Sequence, residues 1–259
     1  MSNLILPFLP QNLESLHEHE RETHSKAVLY INSQSGLKAH LELIQEGLNV
    51  LYDMLTVHRQ RTDDELTLQY LGIRMFNTVV ASLKLLLAGY YQVSFAVQRD
   101  LLETGFLLDY FASFPQQVTL WKQATDEQLE RDFRPSVIRE ALDNQDKVWG
   151  RKRKEIYKRL CKYASHPSYP GFKLVAPKGL GEIGPFYDEK YLSSSLGELV
   201  LRAPYFVLIF LTHFKQLPSE FLKPHTQFLV RYKSWAEKYL KTDLSHVDIE
   251  SAEQLLQLL

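Results

Sequence analysis

The sequence predicts an all-α protein, a bundle of about six or seven principal helices with one long irregular loop over residues 166–190. Three observations carry that prediction. Apolar residues recur at the i, i+3, i+4 spacing of a helix face over long stretches. Glycine is scarce, eleven in 259 residues, against a usual share of about 7%, whereas a sandwich or barrel needs a turn every ~8–12 residues. Prolines and glycines crowd instead into 166–190, which holds four of the eleven prolines and four of the eleven glycines.

Taken in order, residues 12–33 read as a polar, charge-rich helix stopped by Ser33-Gln34-Ser35-Gly36. A second, amphipathic helix runs from Leu37 to about Gln60, with Leu41, Leu43, Ile44, Leu48, Leu51, Leu55 and Val57 near helical spacing. Thr62 is placed to cap a third helix, and Glu65 stands three residues on, as a capping box requires. Asp63-Asp64-Glu65 is therefore read as an N-terminal turn and not as a metal site. Asp63, Thr67, Arg74, Asn77, Thr78 and Lys84 gather on about a third of this helix, which marks it as central and largely buried up to about Ala88. Gly89 permits a tight turn, and Tyr91 to about Ser113 forms the next helix, closed by Pro115. So short a link makes the two antiparallel neighbours.

Residues 116–148 are less regular, with short helices predicted around 116–124 and 135–143, the second opening on Pro135. A helix over roughly 150–165, the irregular loop, and helices over 191–216 and 218–241 complete the set. The whole chain, 1–259, reads as one helical domain in which helices within 1–60 pack on a 64–241 core. The closing residues 242–259 form either a short docking helix or a partner-binding tail.

Composition narrows the function classes. Hydrophobic residues at 45% and charged residues at 24% describe an ordinary globular protein and exclude wholesale disorder. A net charge of −1 argues against a globally basic nucleic-acid binder, so any phosphate contact must come from a local cluster. The single cysteine, Cys161, rules out an internal disulfide framework and suits a reducing compartment. The first residues lack a basic n-region, and Pro7 and Pro10 interrupt their apolar run, unlike a secretory signal. The apolar window 75–98 is broken by Asn77, Lys84 and Gly89, and the run 203–211 is too short to cross a bilayer. A cytoplasmic protein with no membrane segment is the expectation.

Two constellations carry chemistry. Arg99 and Glu103, four residues apart, share a face with Gln92, Ala96, Phe106 and Tyr110. Such a pair is expected to be buried and hydrogen-bonded, either fixing helix packing or turning one partner into a cleft. The segment 151–162 has seven basic residues and one acidic one. On a helical wheel Ile156, Tyr157, Leu160, Cys161, Tyr163 and Ala164 make its apolar side, and Lys152, Glu155, Arg159, Lys162 and His166 gather opposite. Arg159 and His166, seven apart, fall within ~20° of each other. An arginine fork beside a histidine suits binding and cleavage of an RNA phosphodiester without a metal, with Lys152, Lys158 and Lys162 holding the backbone. The other reading is a solvated basic face with His166 as a C-cap before Pro167.

His17, Glu20 and His24 share a helical face that reads as solvated charge, with no metal or cofactor expected. The chain has no GxxxxGK[ST] loop, no GxGxxG after a strand, no HExxH and no GxSxG, which argues against P-loop, Rossmann, zincin and serine-hydrolase chemistry.

A mostly apolar helix, a G-Y-Y-Q turn, a helix with R-D-L-L-E-T-G-F-L-L-D-Y-F and the later Y-K-R-L-C-K-Y-A-S-H-P-S-Y-P-G together resemble helical proteins of the HEPN-like group over residues 64–215. Within that group the likeness is to bacterial uncharacterised and abortive-infection-type proteins. The group's signature is an arginine followed four to six residues later by a histidine, and Arg159 and His166 match it with six between. The resemblance implies a homodimer in which the two residues meet across the interface and cleave RNA without metal, Arg159 as phosphate ligand and His166 as proton donor or acceptor. It implies a role in phage defence or a toxin–antitoxin pair, with an antitoxin or regulatory protein as partner. Active members carry a polar residue directly after the arginine, where this chain has Leu160. The alternative is a non-catalytic helical binding or regulatory protein in which Arg99, Glu103 and His166 are structural.

Overall fold

A computed structural model describes residues 11–59, 61–145, 152–214 and 219–241, and among these every regular element is helical. Helix α1 (Gln11–Ser33) and helix α2 (Ser35–Val57) lead into α3 (Asp63–Leu87) and α4 (Tyr91–Ser113), the most extensively packed pair in the molecule. Three short helices follow: α5 (Gln117–Gln123), α6 (Asp126–Asp132) and α7 (Pro135–Gln145). Then come α8 (Lys152–Leu160), a π turn (Cys161–Ser165), a 3-10 helix (Tyr169–Val175), α9 (Glu189–Val200), α10 (Ala203–Thr212) and α11 (Ser219–Leu240). The residues 242–259, read above as a docking helix or tail, lie outside the described residues, as does the segment 146–151 before α8.

The helices at the centre form for the reasons the sequence offers. Thr62 Oγ1 accepts the Glu65 N–H at 3.1 Å and caps α3. The second half of the expected capping box is displaced by one residue, because the Glu65 carboxylate accepts from the Arg61 N–H at 2.6 Å. Asp64 in the same turn accepts from Thr119 and Lys122, both at 2.8 Å, and so ties α5 to the head of α3. Gly89 makes the α3–α4 turn at φ +89°, and a Cβ there would lie 2.4 Å from the Phe186 carbonyl oxygen. The turn is thus both left-handed and in close contact with backbone, two demands that glycine alone meets.

Around this pair the core is continuous. Met75, Leu86, Leu101, Phe111, Leu196 and Phe210 are fully buried, each contributing roughly 1.5–3 kcal/mol by leaving water. At Gly105 of α4 a Cβ would sit 2.4 Å from the Phe206 ring, so this glycine lets α10 approach closely. A polar thread crosses the apolar interior. Ser94 Oγ lies 3.0 Å from Ser82 Oγ and 3.1 Å from Ser195 Oγ, and Gln98 Nε2 donates to the Ser195 carbonyl at 3.1 Å. These residues are completely buried, and the three hydroxyls and the Gln98 amide nitrogen are hydrogen-bonded, whereas Gln98 Oε1 has no partner among the described residues.

Two departures raise the nine helical stretches placed along the sequence, six or seven of them principal, to eleven α-helical segments among the described residues, and a third changes the loop. The stretch 191–216 is two helices, because Pro204 at the head of α10 has no N–H to continue the ladder and Arg202 leaves helical geometry at φ −120°. Helix α6 is an addition, started by a full capping box between Thr125 and Gln128. The loop 166–190 is irregular for most of its length, but Ser168 caps the Gly171 N–H and opens the 3-10 helix within it.

By length and composition Asp63–Leu87 and Glu189–Thr212 could each cross a membrane, with 39% and 61% of their apolar windows buried inside the bundle.

Candidate functional site

Helix α8 is nine residues of mostly basic sequence, and it turns Arg153 and Leu160 inward at 6% and 3% exposure. Lys152, Lys154, Lys158 and Arg159 are exposed. Beyond Leu160 the chain widens into the π turn, closed by the His166 N–H donating to the Cys161 carbonyl at 3.1 Å. His166 ends the helix in extended geometry, φ −110° and ψ 139°, as the residue before Pro167 is driven to do. Side chains hold the wide turn open. Gln92 Nε2 donates to the Ala164 carbonyl, and Ser168 Oγ donates to that of Lys162. A π turn takes more residues per revolution than an α-helix. The ~20° offset between Arg159 and His166 therefore holds for a regular helix and not for this one.

Helix α8 meets α4 and α7 at a cluster of charges. Arg99 NH2 donates to Glu103 Oε1 at 2.7 Å and to the Tyr157 hydroxyl at 2.7 Å, and that hydroxyl donates to Glu103 Oε1 at 2.7 Å. The Arg139 guanidinium lies over the Tyr157 ring, 4.1 Å from its centre. Arg153 bonds Asp143 at 3.0 Å and reaches Asp109 at 3.5 Å. Burial pulls the Arg99 pKa down, but the Tyr157 and Glu103 partners outweigh it and leave Arg99 held in its charged form. Burial likewise raises the Tyr157 phenol and keeps it protonated. Among the described residues, Arg99 meets Glu103, Arg153 meets Asp143 and Asp109, and Arg139 covers the Tyr157 ring, so three arginines gather with three carboxylates.

On the other side of α8 lies a cleft of about 530 Å³, walled by the π turn, α9, α11 and the head of α2. Phe95, Leu160, Leu174, Val200 and Leu201 make it apolar, and Tyr163, Trp235, Tyr239 and His40 make it aromatic. Its charged groups are Arg159 and Glu198. Arg159 NH2 donates to Glu198 Oε1 at 2.6 Å. The other carboxylate oxygen of Glu198 pairs with Arg202, whose guanidinium is buried at 6% side-chain exposure and also donates to the Glu198 carbonyl. On the opposite wall the Trp235 indole N–H donates to His40 Nδ1 at 3.0 Å, and the His40 ring packs edge-on against Trp235 and Tyr239. Burial lowers the His40 pKa and favours the neutral ring.

The structure thus divides the residues singled out in the sequence. Arg159 lines the cleft. His166 and Lys152, Lys158 and Lys162 are exposed and not among its lining, although Lys162 Nζ lies 5.4 Å from the centre of the lining Tyr163 ring. Arg99 and Glu103 belong to the cluster around Tyr157, half-buried at 29% side-chain exposure each. Of the early histidines, His17 pairs with Glu20 at 3.0 Å, and Glu20 also accepts from the Tyr90 hydroxyl at 2.8 Å. Sequence reasoning missed Glu198, Arg202, His40 and Trp235. Glu198 and Arg202 were discoverable as an i, i+4 pair flanking the break before Pro204, whereas His40 and Trp235 meet only through the tertiary fold. No family model, no curated protein and no solved structure matches the chain.

Proposed function

We propose that the protein is a non-catalytic helical binding protein and that the cleft beside α8 is its ligand site. One observation carries the reading: a cleft of about 530 Å³ with predominantly apolar and aromatic walls and a charged station, Arg159 with Glu198. That volume lies in the range of roughly 300–1,000 Å³ usual for small-molecule pockets, and so does the mixture of many apolar groups with a few placed polar ones.

The arrangement favours binding over RNA cleavage by Arg159 and His166. Arg159 is engaged by Glu198 and lines a predominantly apolar cleft, which suits a hydrocarbon body better than a polyanionic backbone. The His166 side chain is exposed and lies outside the cleft that Arg159 lines. Leu160, which follows the arginine, is a buried wall of the cleft and offers no polar atom.

The test is RNA integrity with purified parent, Arg159→Ala and His166→Ala, in chelator, together with growth on expression. The reading expects the same RNA profile and the same growth for all three. RNA cleavage by the parent that disappears in His166→Ala overturns it in favour of a metal-independent ribonuclease.

A further inference from the structure

Resting on that reading, we infer that the cleft selects an apolar carboxylate, a monoanionic amphipathic molecule whose head is held at Arg159 and whose body lies against Phe95, Leu160, Leu201 and Trp235. The argument begins with charge. Arg159 and Arg202 are two cations sharing one anion, Glu198, so the station carries one positive charge in excess. Lys162 beside the Tyr163 ring adds to the same sign, and among the described residues the lining contains no carboxylate other than Glu198. A cationic ligand would find no counter-charge there, and a neutral one would leave the excess unused.

The geometry assigns each arginine its part. Arg202 is buried with one oxygen of Glu198 and the Glu198 carbonyl, so it fixes Glu198 in place. An unpaired buried guanidinium is costly, and a ligand cannot draw Glu198 away. Arg159 is half-exposed, at 52% of its side chain, and spends only NH2 on Glu198. Guanidinium has five donors in a planar fork, which leaves donors for a second, bidentate carboxylate. Because Glu198 stays, a ligand with two negative charges meets its repulsion, and a single carboxylate matches the single excess charge. On the far wall Trp235 can only donate, so neutral His40 accepts at Nδ1 and carries its proton at Nε2. His40 lines the cleft, so this N–H is a polar point on the wall opposite Arg159.

The body of the ligand is set by the walls, which are predominantly apolar, and by space at Gly197. A Cβ added at this helical glycine of α9 meets nothing within 4 Å, and Gly197 lines the cleft. A large side chain there fills the cleft without a clash at its first atom.

Calorimetric titration tests this with three ten-carbon probes of the same body: decanoate, decanol and decyltrimethylammonium, each below its aggregation concentration. The parent is expected to bind decanoate at least tenfold tighter than decanol and not to bind the ammonium. Arg159→Leu should bring decanoate to the level of decanol and leave decanol unchanged. Gly197→Phe should abolish both, with Gly197→Ala, which leaves the cleft open, as the folding control and far-ultraviolet dichroism as the check on helix content. Equal binding of decanoate and decanol, or an unchanged ratio in Arg159→Leu, overturns the anion inference and leaves the ligand cleft standing. Binding of none of the three, or binding indifferent to Gly197→Phe, overturns the cleft and the inference together.

Discussion

Helix α8 is flanked by two sets of charges that solve opposite problems. Toward α4 and α7, Arg99, Arg139 and Arg153 gather with Glu103, Asp109 and Asp143 around Tyr157. Toward α9, Arg159 and Arg202 share Glu198, and one positive charge remains at the mouth of an apolar cleft. A cluster whose carboxylates are paired with arginines inside the bundle holds helices in register. A cluster with an excess charge beside an apolar cleft is stable only because that excess, on Arg159, still reaches water. The difference teaches that a basic helix is informative through its inner neighbours more than through its exposed lysines.

The largest expected effect tests the closed cluster. Arg153→Ala removes the buried arginine from Asp143 and Asp109 and is expected to cost about 3 kcal/mol in urea denaturation, as removal of one partner of a buried pair does. A cost under about 1 kcal/mol would break the comparison, since the cluster would then be no more structural than a surface pair.

Acid should sharpen it. His213, whose Nε2 lies 3.0 Å from the Leu108 carbonyl on the far end of α4, has its pKa lowered by burial to about 4. Between pH 6.5 and 4 the unfolded chain therefore binds more protons at this position than the folded one. Stability is full above pH 6.5 and falls as pH drops, by about 2 kcal/mol at pH 5. His40 shifts in the same direction from burial, and its protonation would also remove the acceptor for Trp235. Denaturation at pH 7.5 and 5 should show the loss in the parent and most of it removed in His213→Gln. Equal loss in both would place the acid-sensitive group elsewhere.

Glu103→Gln comes next. Glu103 Oε1 accepts from both Arg99 and Tyr157, so loss of its charge weakens two bonds in a half-buried site. The expected cost is about 1–2 kcal/mol, with no change in decanoate affinity. A fall in affinity would show that the two sides of α8 are coupled.

How far the sequence could be read follows the same division. Helix α4 has the bounds Tyr91–Ser113 that its spacing and Pro115 imply, and α3 starts at Thr62, because capping and periodicity are local. The break between α9 and α10 was carried by Pro204 but masked by the apolar run on both sides of it. The π turn depends on Gln92, seventy-two residues from the carbonyl it holds. The cleft draws on residues 40, 95, 159, 198 and 235. No periodicity links positions so far apart, and so Arg159 was legible as a cation while Glu198, the partner that limits its chemistry, was not.

The smallest expected effects lie at the open side, and they separate stability from binding most cleanly. Gly197→Ala should raise stability by roughly 0.5–1 kcal/mol, because alanine lowers the entropy of the unfolded chain and its Cβ enters open space. Arg159→Ala should change stability by less than about 1 kcal/mol, since the pair it breaks is half-exposed and Glu198 keeps Arg202. The same substitution removes the excess charge from the cleft. A residue whose loss leaves the melting curve in place and removes anion selectivity is held for a ligand and not for the fold. If Arg159→Ala instead destabilised the protein as strongly as Arg153→Ala, the Arg159–Glu198–Arg202 station would be a second closed cluster, and the asymmetry across α8 would disappear.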